Sequence, residues 1–121
     1  MSDIIQIHID DPWFGHIKSG KKNVEGKIAK GKALQMEKGK NIRIFGNKGD
    51  FIDCQILDIR KYDSFVEYLT TEGLARTLPG LSTIEEGLAL YARYYQPGLD
   101  QKLGVLAVQL RRIIPQTSED P

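Results

Sequence analysis

The chain has 121 residues, 40% of them apolar and 27% charged, a balance that excludes fibrous and disordered classes and leaves room for one hydrophobic core. No apolar run approaches the roughly 20 residues a membrane helix needs. The N-terminus carries acids where a secretory leader carries bases, so the expected location is the cytoplasm, or equally the nucleus, with no membrane partner.

The net charge of +1 conceals an uneven distribution. Lys18 to Arg43 holds nine basic residues against Glu25 and Glu37, a charge of +7, so the remainder carries −6. A near-neutral total argues against indiscriminate binding to polyanions, whereas the local density of lysine argues for a local anion site. The plainer alternative is a solvated lysine-rich loop. Cys54 is the sole cysteine, which excludes an internal disulfide and a cysteine-based zinc cluster; in the stretch Phe51-Ile-Asp-Cys54-Gln-Ile-Leu57 it reads as a buried, inert thiol.

Ile5, Ile7 and Ile9 alternate with polar residues, predicting a first strand with one buried face. Asp11-Pro12 reads as a helix start, with Asp11 capping and Pro12 at the first helical position. Gly20 is a left-handed stop for that helix, and Trp13 or Phe14 with Ile17 would face the core. The chain then runs extended from Asn23 to Ile28. Ala29–Lys40 reads as a loop with a small apolar patch at Leu34 and Met36. Ile42–Phe45 and Phe51–Ile59 are predicted strands joined by the turn Gly46-Asn47-Lys48-Gly49-Asp50, which lacks the spacing of a phosphate-binding loop. A strand as long as the second is expected to curve or bulge.

Ser64-x-x-Glu67 and Ser82-x-x-Glu85 read as capping boxes, opening helices that end near Gly73 and Tyr95. In the second helix Ile84, Leu88, Tyr91 and Tyr95 share one face, a stripe better suited to core packing than to base stacking. After Pro97-Gly98, Gly104–Ile113 is a closing strand with Leu106, Val108 and Leu110 on one face. Residues 1–114 are expected to form one domain and the polar tail 115–121 to be disordered. Strands outnumber helices without βαβ interleaving, which predicts an α+β fold: a small, mixed, mostly antiparallel β-barrel flanked by helices.

The stretch Gly20-Lys21-Lys22-Asn23-Val24-Glu25-Gly26-Lys27 concentrates ionisable groups at a helix stop and a strand start. In an extended strand Glu25 and Lys27 share a face and Val24 points into the core. Lys22 would curl over the same face, giving a carboxylate flanked by two ammonium groups. The carboxylate oxygens suit base N–H donors, and the lysines suit phosphate or carbonyl oxygens. The bland alternative is an exposed ion pair worth roughly 0–1 kcal/mol that serves the local turn.

Gly20-x-Lys22-x-x-Glu25-x-Lys27 resembles the GxKxxExR signature of ASCH domains, which have a PUA-like barrel. The order of elements resembles the family over roughly residues 4–113. One departure is Lys27 in place of arginine, which keeps the charge and loses the planar two-pronged donor. The resemblance implies binding of single-stranded RNA, a nucleotide or a nucleoside in a basic cleft. Lys21, Lys22 and Lys27 would meet the backbone, Glu25 would read a base edge, and Trp13 would either stack at the mouth or anchor the core. No cofactor is implied. His8 and His16 lack the carboxylate cluster a metal site requires.

Some bacterial members of that family are amidohydrolases that deacylate N4-acylated cytidine with a threonine nucleophile, a lysine and a glutamate. The lysine corresponds to Lys22 and the threonine position to Glu25. The glutamate corresponds loosely to Gly73–Glu86, where Glu85 and Glu86 are the candidates. A carboxylate cannot replace the hydroxyl nucleophile, so catalysis by Lys22 and Glu25, either hydrolase-like or as the base and acid of a ribonuclease, ranks behind binding. A protein-interaction module of a transcription or translation regulator is the third reading.

Overall fold

A computed structural model describes residues 4–114; the tail 115–121 lies outside the described residues. The strands are β1 (Ile5–His8), β2 (Val24–Ile28), β3 (Asn41–Phe45), β4 (Phe51–Tyr62) and β5 (Val105–Ile113). They form one sheet in the order β1-β3-β4-β5-β2, with β1–β3 parallel and the other three pairings antiparallel. The helices are α1 (Trp13–Ser19), α2 (Phe65–Glu72), α3 (Leu74–Thr77), α4 (Ile84–Ala92) and α5 (Leu99–Leu103). This is the expected α+β fold of PUA-like type, with the sheet curled into a half-barrel. Its two edge strands, β1 and β2, are not paired to each other, and that unsealed seam is where the site lies.

Sheet curvature follows from β4. Its 12 residues exceed what a flat strand in so small a sheet would span, and its pairing with β5 slips between Ile56 and Asp58, a bulge of the kind that bends a strand. Two cores result. On one side Phe14, Ile17, Ile42, Ile44, Ile52, Cys54 and Ile56 pack with Val108 and Leu110. On the other, Val24, Ile28, Phe65, Tyr68, Leu69, Leu78 and Tyr91 pack with Val105 and Ala107. Trp13 touches both. Cys54 is fully buried, and desolvation pushes its thiol up to about 11.

Several boundaries differ from the sequence reading. Asp11 does not cap α1: Pro12 occupies the cap position without a side-chain bond, and the Phe14 amide reaches back to the Asp10 carbonyl. Gly20 does stop the helix, at φ 87°. Ser64 caps α2 as expected, accepting from the Glu67 amide. The second capping box is one residue later than predicted, formed by Thr83 and Glu86; Ser82-Thr83 and Glu85-Glu86 offer two registers, and the structure takes the second. In the lysine-rich loop the Gly31–Gln35 turn buries Ala33 and Met36 and leaves Leu34 65% exposed. Among the described residues no helix is long and apolar enough to cross a membrane.

Candidate functional site

Strand β2 alternates cleanly, with Val24, Gly26 and Ile28 buried and Glu25 and Lys27 on the opposite face, as period two requires. Gly26 is fixed by contact: a Cβ there would stand 2.6 Å from the Tyr68 ring. The site lies at the edge of the half-barrel because β2 is an edge strand that pairs only with β5.

Lys22 departs from its expected place. The sequence reading curls it over the face of Glu25 and Lys27 at the cleft mouth, one of two ammoniums flanking the carboxylate; the structure keeps it against Glu25 but sinks it to the cavity floor, 1% exposed. Its Nζ donates to the carbonyls of Val24 (2.8 Å) and Thr77, and Glu25 Oε1 lies 3.1 Å away. Three acceptors meet the three protons of an ammonium group, one of them an orphan carbonyl at the end of α3. Burial pushes Lys22 below its ordinary value, against the opposing pull of Glu25. Sequence could not show this, because the residue that closes the cage, Thr77, lies 55 positions away.

Glu25 is therefore shared. Its other oxygen is 3.6 Å from Lys27 Nζ, and the two side chains are 13% and 21% exposed. Above them opens a cavity of about 300 Å³, walled by Trp13, Tyr94 and Tyr95, with Asp10 at its rim and Tyr91 in its lining. Tyr94 is a site residue that the sequence reading misses. It stands off the apolar stripe of α4 and is held by its hydroxyl, which donates to Asp10 at 2.7 Å; that bond, with burial, raises the Tyr94 phenol above its usual value. Tyr91 belongs to the core as predicted, stacked on Phe65 with ring centroids 4.2 Å apart. Its hydroxyl is nevertheless buried with no hydrogen-bond partner.

Asp10 and Glu25 balance Lys22 and Lys27 around the cavity, so the cavity is near-neutral rather than basic as expected. The lysine charge lies beside it. A second hollow of about 260 Å³ shares His8, Lys27 and Tyr95 with the cavity and adds Lys30 and Lys32. Lys21 is exposed and outside the lining of both. Glu85 and Glu86 do not line the cavity either, and Glu86 spends its carboxylate on the Ser82 and Thr83 amides. The buried glutamate is Glu72, gripped in two-pronged fashion by Arg60 at 2.7 and 2.8 Å and further held by Tyr62. These donors hold Glu72 below the usual carboxylate range, and they occupy it in structural work. His8 bonds Asn47 at 2.9 Å, and His16 packs against Trp13. Among the described residues no group of three or more metal-ligating side chains occurs.

Comparison with known proteins fits this geometry. A family model described as the ASCH domain matches residues 7–113. Hypothetical protein PH0355 is 32% identical, with a TM-score of 0.82 over 92% of this chain and 100% of its own. Protein PF0455 from Pyrococcus furiosus is also 32% identical, with a TM-score of 0.75 over 92% of this chain and 98% of its own. A mutant form of ZmASCH from Zymomonas mobilis shares the fold at 21% identity and a TM-score of 0.61, over 94% of this chain and 75% of its own. No curated protein sequence matches.

Proposed function

The chain belongs to the ASCH domain family, and from that premise we propose that its cavity binds one nucleobase unit of a single-stranded RNA or nucleotide. The reading is carried by one juxtaposition: aromatic rings at Trp13, Tyr94 and Tyr95 face a paired acceptor and donor, Glu25 and Lys27, across about 300 Å³. That volume is at the small end for ligand sites, which suits a base with its sugar. Aromatic stacking contributes about 1–3 kcal/mol per base and tolerates any base, and RNA recognition favours unpaired bases seated in this manner. Glu25 would accept from a base N–H, and Lys27 would donate to a ring carbonyl or phosphate oxygen as a point charge.

Binding ranks ahead of catalysis for a physical reason. An activating lysine needs a free lone pair and access to the substrate, and Lys22 has all three donors engaged inside the wall. Glu25 supplies no hydroxyl nucleophile, and among the described residues no second glutamate lines the cavity.

Trp13 is the sole tryptophan and lines the cavity, so its fluorescence reports occupancy directly. Ribonucleosides, their monophosphates and short RNAs should quench it saturably. Tyr94→Ala should weaken that binding by roughly ten-fold, the loss of one stacking partner, with the melting temperature little changed. A folded protein whose fluorescence ignores every one of these ligands would refute the proposal.

A further inference from the structure

We propose that Tyr91 is a specificity-determining residue, its hydroxyl donating to a ring carbonyl oxygen of the seated base, so that the cavity prefers carbonyl-bearing bases to adenine. The inference rests on the nucleobase reading of the cavity and adds the contact that chooses among bases. Its basis is an unanswered donor. Tyr91 is 7% exposed and lines the cavity, and its hydroxyl is buried with no hydrogen-bond partner. A buried hydroxyl left unpaired is destabilising, and a ligand that brings an acceptor relieves it.

The ring of Tyr91 already has its place. It stacks on Phe65 at 4.2 Å and meets Tyr68 edge-on at 6.2 Å, packing that a phenylalanine ring would supply equally. The hydroxyl is the part of the side chain that the core does not use. The neighbouring Tyr68 hydroxyl is also buried without a partner, but Tyr68 lies outside the cavity lining. Rotating the two hydroxyls to bond each other would use one proton of the two and strand the other. With Tyr68 donating, the proton left over belongs to Tyr91, the residue on the cavity side.

Glu25 restricts the kind of acceptor. Burial, and then the Glu25 carboxylate, push the Tyr91 phenol far above its ordinary value, so it stays a donor across the neutral range. The same carboxylate disfavours an anionic acceptor beside it, which leaves neutral ones. A carbonyl oxygen stands out from its ring with two lone pairs and reaches a recessed hydroxyl. A ring nitrogen lies flush with the edge. Uracil, cytosine and guanine carry a ring carbonyl, whereas adenine carries an exocyclic amine.

The test titrates uridine, inosine and adenosine into the parent chain, Tyr91→Phe and Tyr68→Phe, read by Trp13 fluorescence. Inosine matches adenosine in size and has a carbonyl in place of the amine. In the parent, uridine and inosine should bind about ten-fold more tightly than adenosine, the worth of one hydrogen bond to an otherwise unpaired group. Tyr91→Phe should lose that advantage, leave adenosine unchanged, and raise the thermal midpoint of the ligand-free protein by about 4 °C. Tyr68→Phe should keep the parent's ranking. Equal binding of inosine and adenosine to the parent, a ranking that survives Tyr91→Phe, or a lower midpoint for that variant would overturn the contact and leave the cavity reading standing. Loss of the ranking in Tyr68→Phe as well would also overturn it, because packing of the ring pair would then set the preference. Failure of all three nucleosides to bind would remove both readings together.

Discussion

Replacing Lys22 with methionine keeps most of the side-chain volume and deletes the ammonium, so it isolates the worth of the cage. The variant leaves the carbonyls of Val24 and Thr77 without their donor and removes the 3.1 Å partner of Glu25. Removing one member of a buried charge pair costs about 3–5 kcal/mol, because the groups left behind remain desolvated. Glu25 retains Lys27 at 3.6 Å, which places the expected loss near the lower end, about 3 kcal/mol. At about 4 °C per kcal/mol for a domain of this size, the thermal midpoint should fall by roughly 12 °C, with a matching shift of the denaturant midpoint at constant slope. Lys22→Met/Glu25→Gln should recover part of the loss, because the stranded carboxylate is removed as well, and the cycle should return a coupling of about 1–3 kcal/mol. The practical meaning is that a Lys22 variant tests the fold before it tests the ligand. If Lys22→Met melts within about 3 °C of the parent, a loss below about 1 kcal/mol, the ammonium is not caged and the reasoning fails.

Gly26→Ala forces a methyl into the Tyr68 ring at 2.6 Å and should cost about 1–3 kcal/mol by overpacking, read as a loss in denaturant midpoint. Thr83→Ala should cost about 1 kcal/mol through the lost cap of α4, while Ser82→Ala should be close to neutral; equal effects would contradict the register described above. Glu72 is held below its ordinary value, so the unfolded chain binds its proton more readily. The stability it contributes is complete above the ordinary value of 4.5 and is lost as pH falls through the lower folded value. Glu72→Gln should therefore flatten the acid limb of the stability profile, and an unchanged limb would show that the Arg60 grip contributes nothing.

The motif is legible because β2 obeys period two: once Val24 is buried, Glu25 and Lys27 must share the other face. The strand positions are legible for the same reason, and the bulge in β4 follows from a run too long and too apolar to stay flat. What escapes is set by contacts distant in sequence. Lys22 looks like a cleft lysine because its cage is completed by Thr77, which no local pattern announces. The short helices α3 and α5 have four and five residues, too few for an apolar period to register. Tyr94 falls off the helical stripe that marks Tyr91 and Tyr95, and only its bond to Asp10, 84 residues away, turns it toward the cavity. Adjacent serine–threonine and glutamate–glutamate pairs leave two caps open at α4, and local chemistry cannot choose between them.

Strand β5 gives Val105 and Ala107 to one core and Leu106, Val108 and Leu110 to the other, while pairing with β4 on one side and β2 on the other. Neither half can come apart without stripping a flank from the one strand they hold in common. The protein should therefore open all at once, and the central β5 amides should be the last to trade their hydrogens for deuterium, at a rate set by global unfolding.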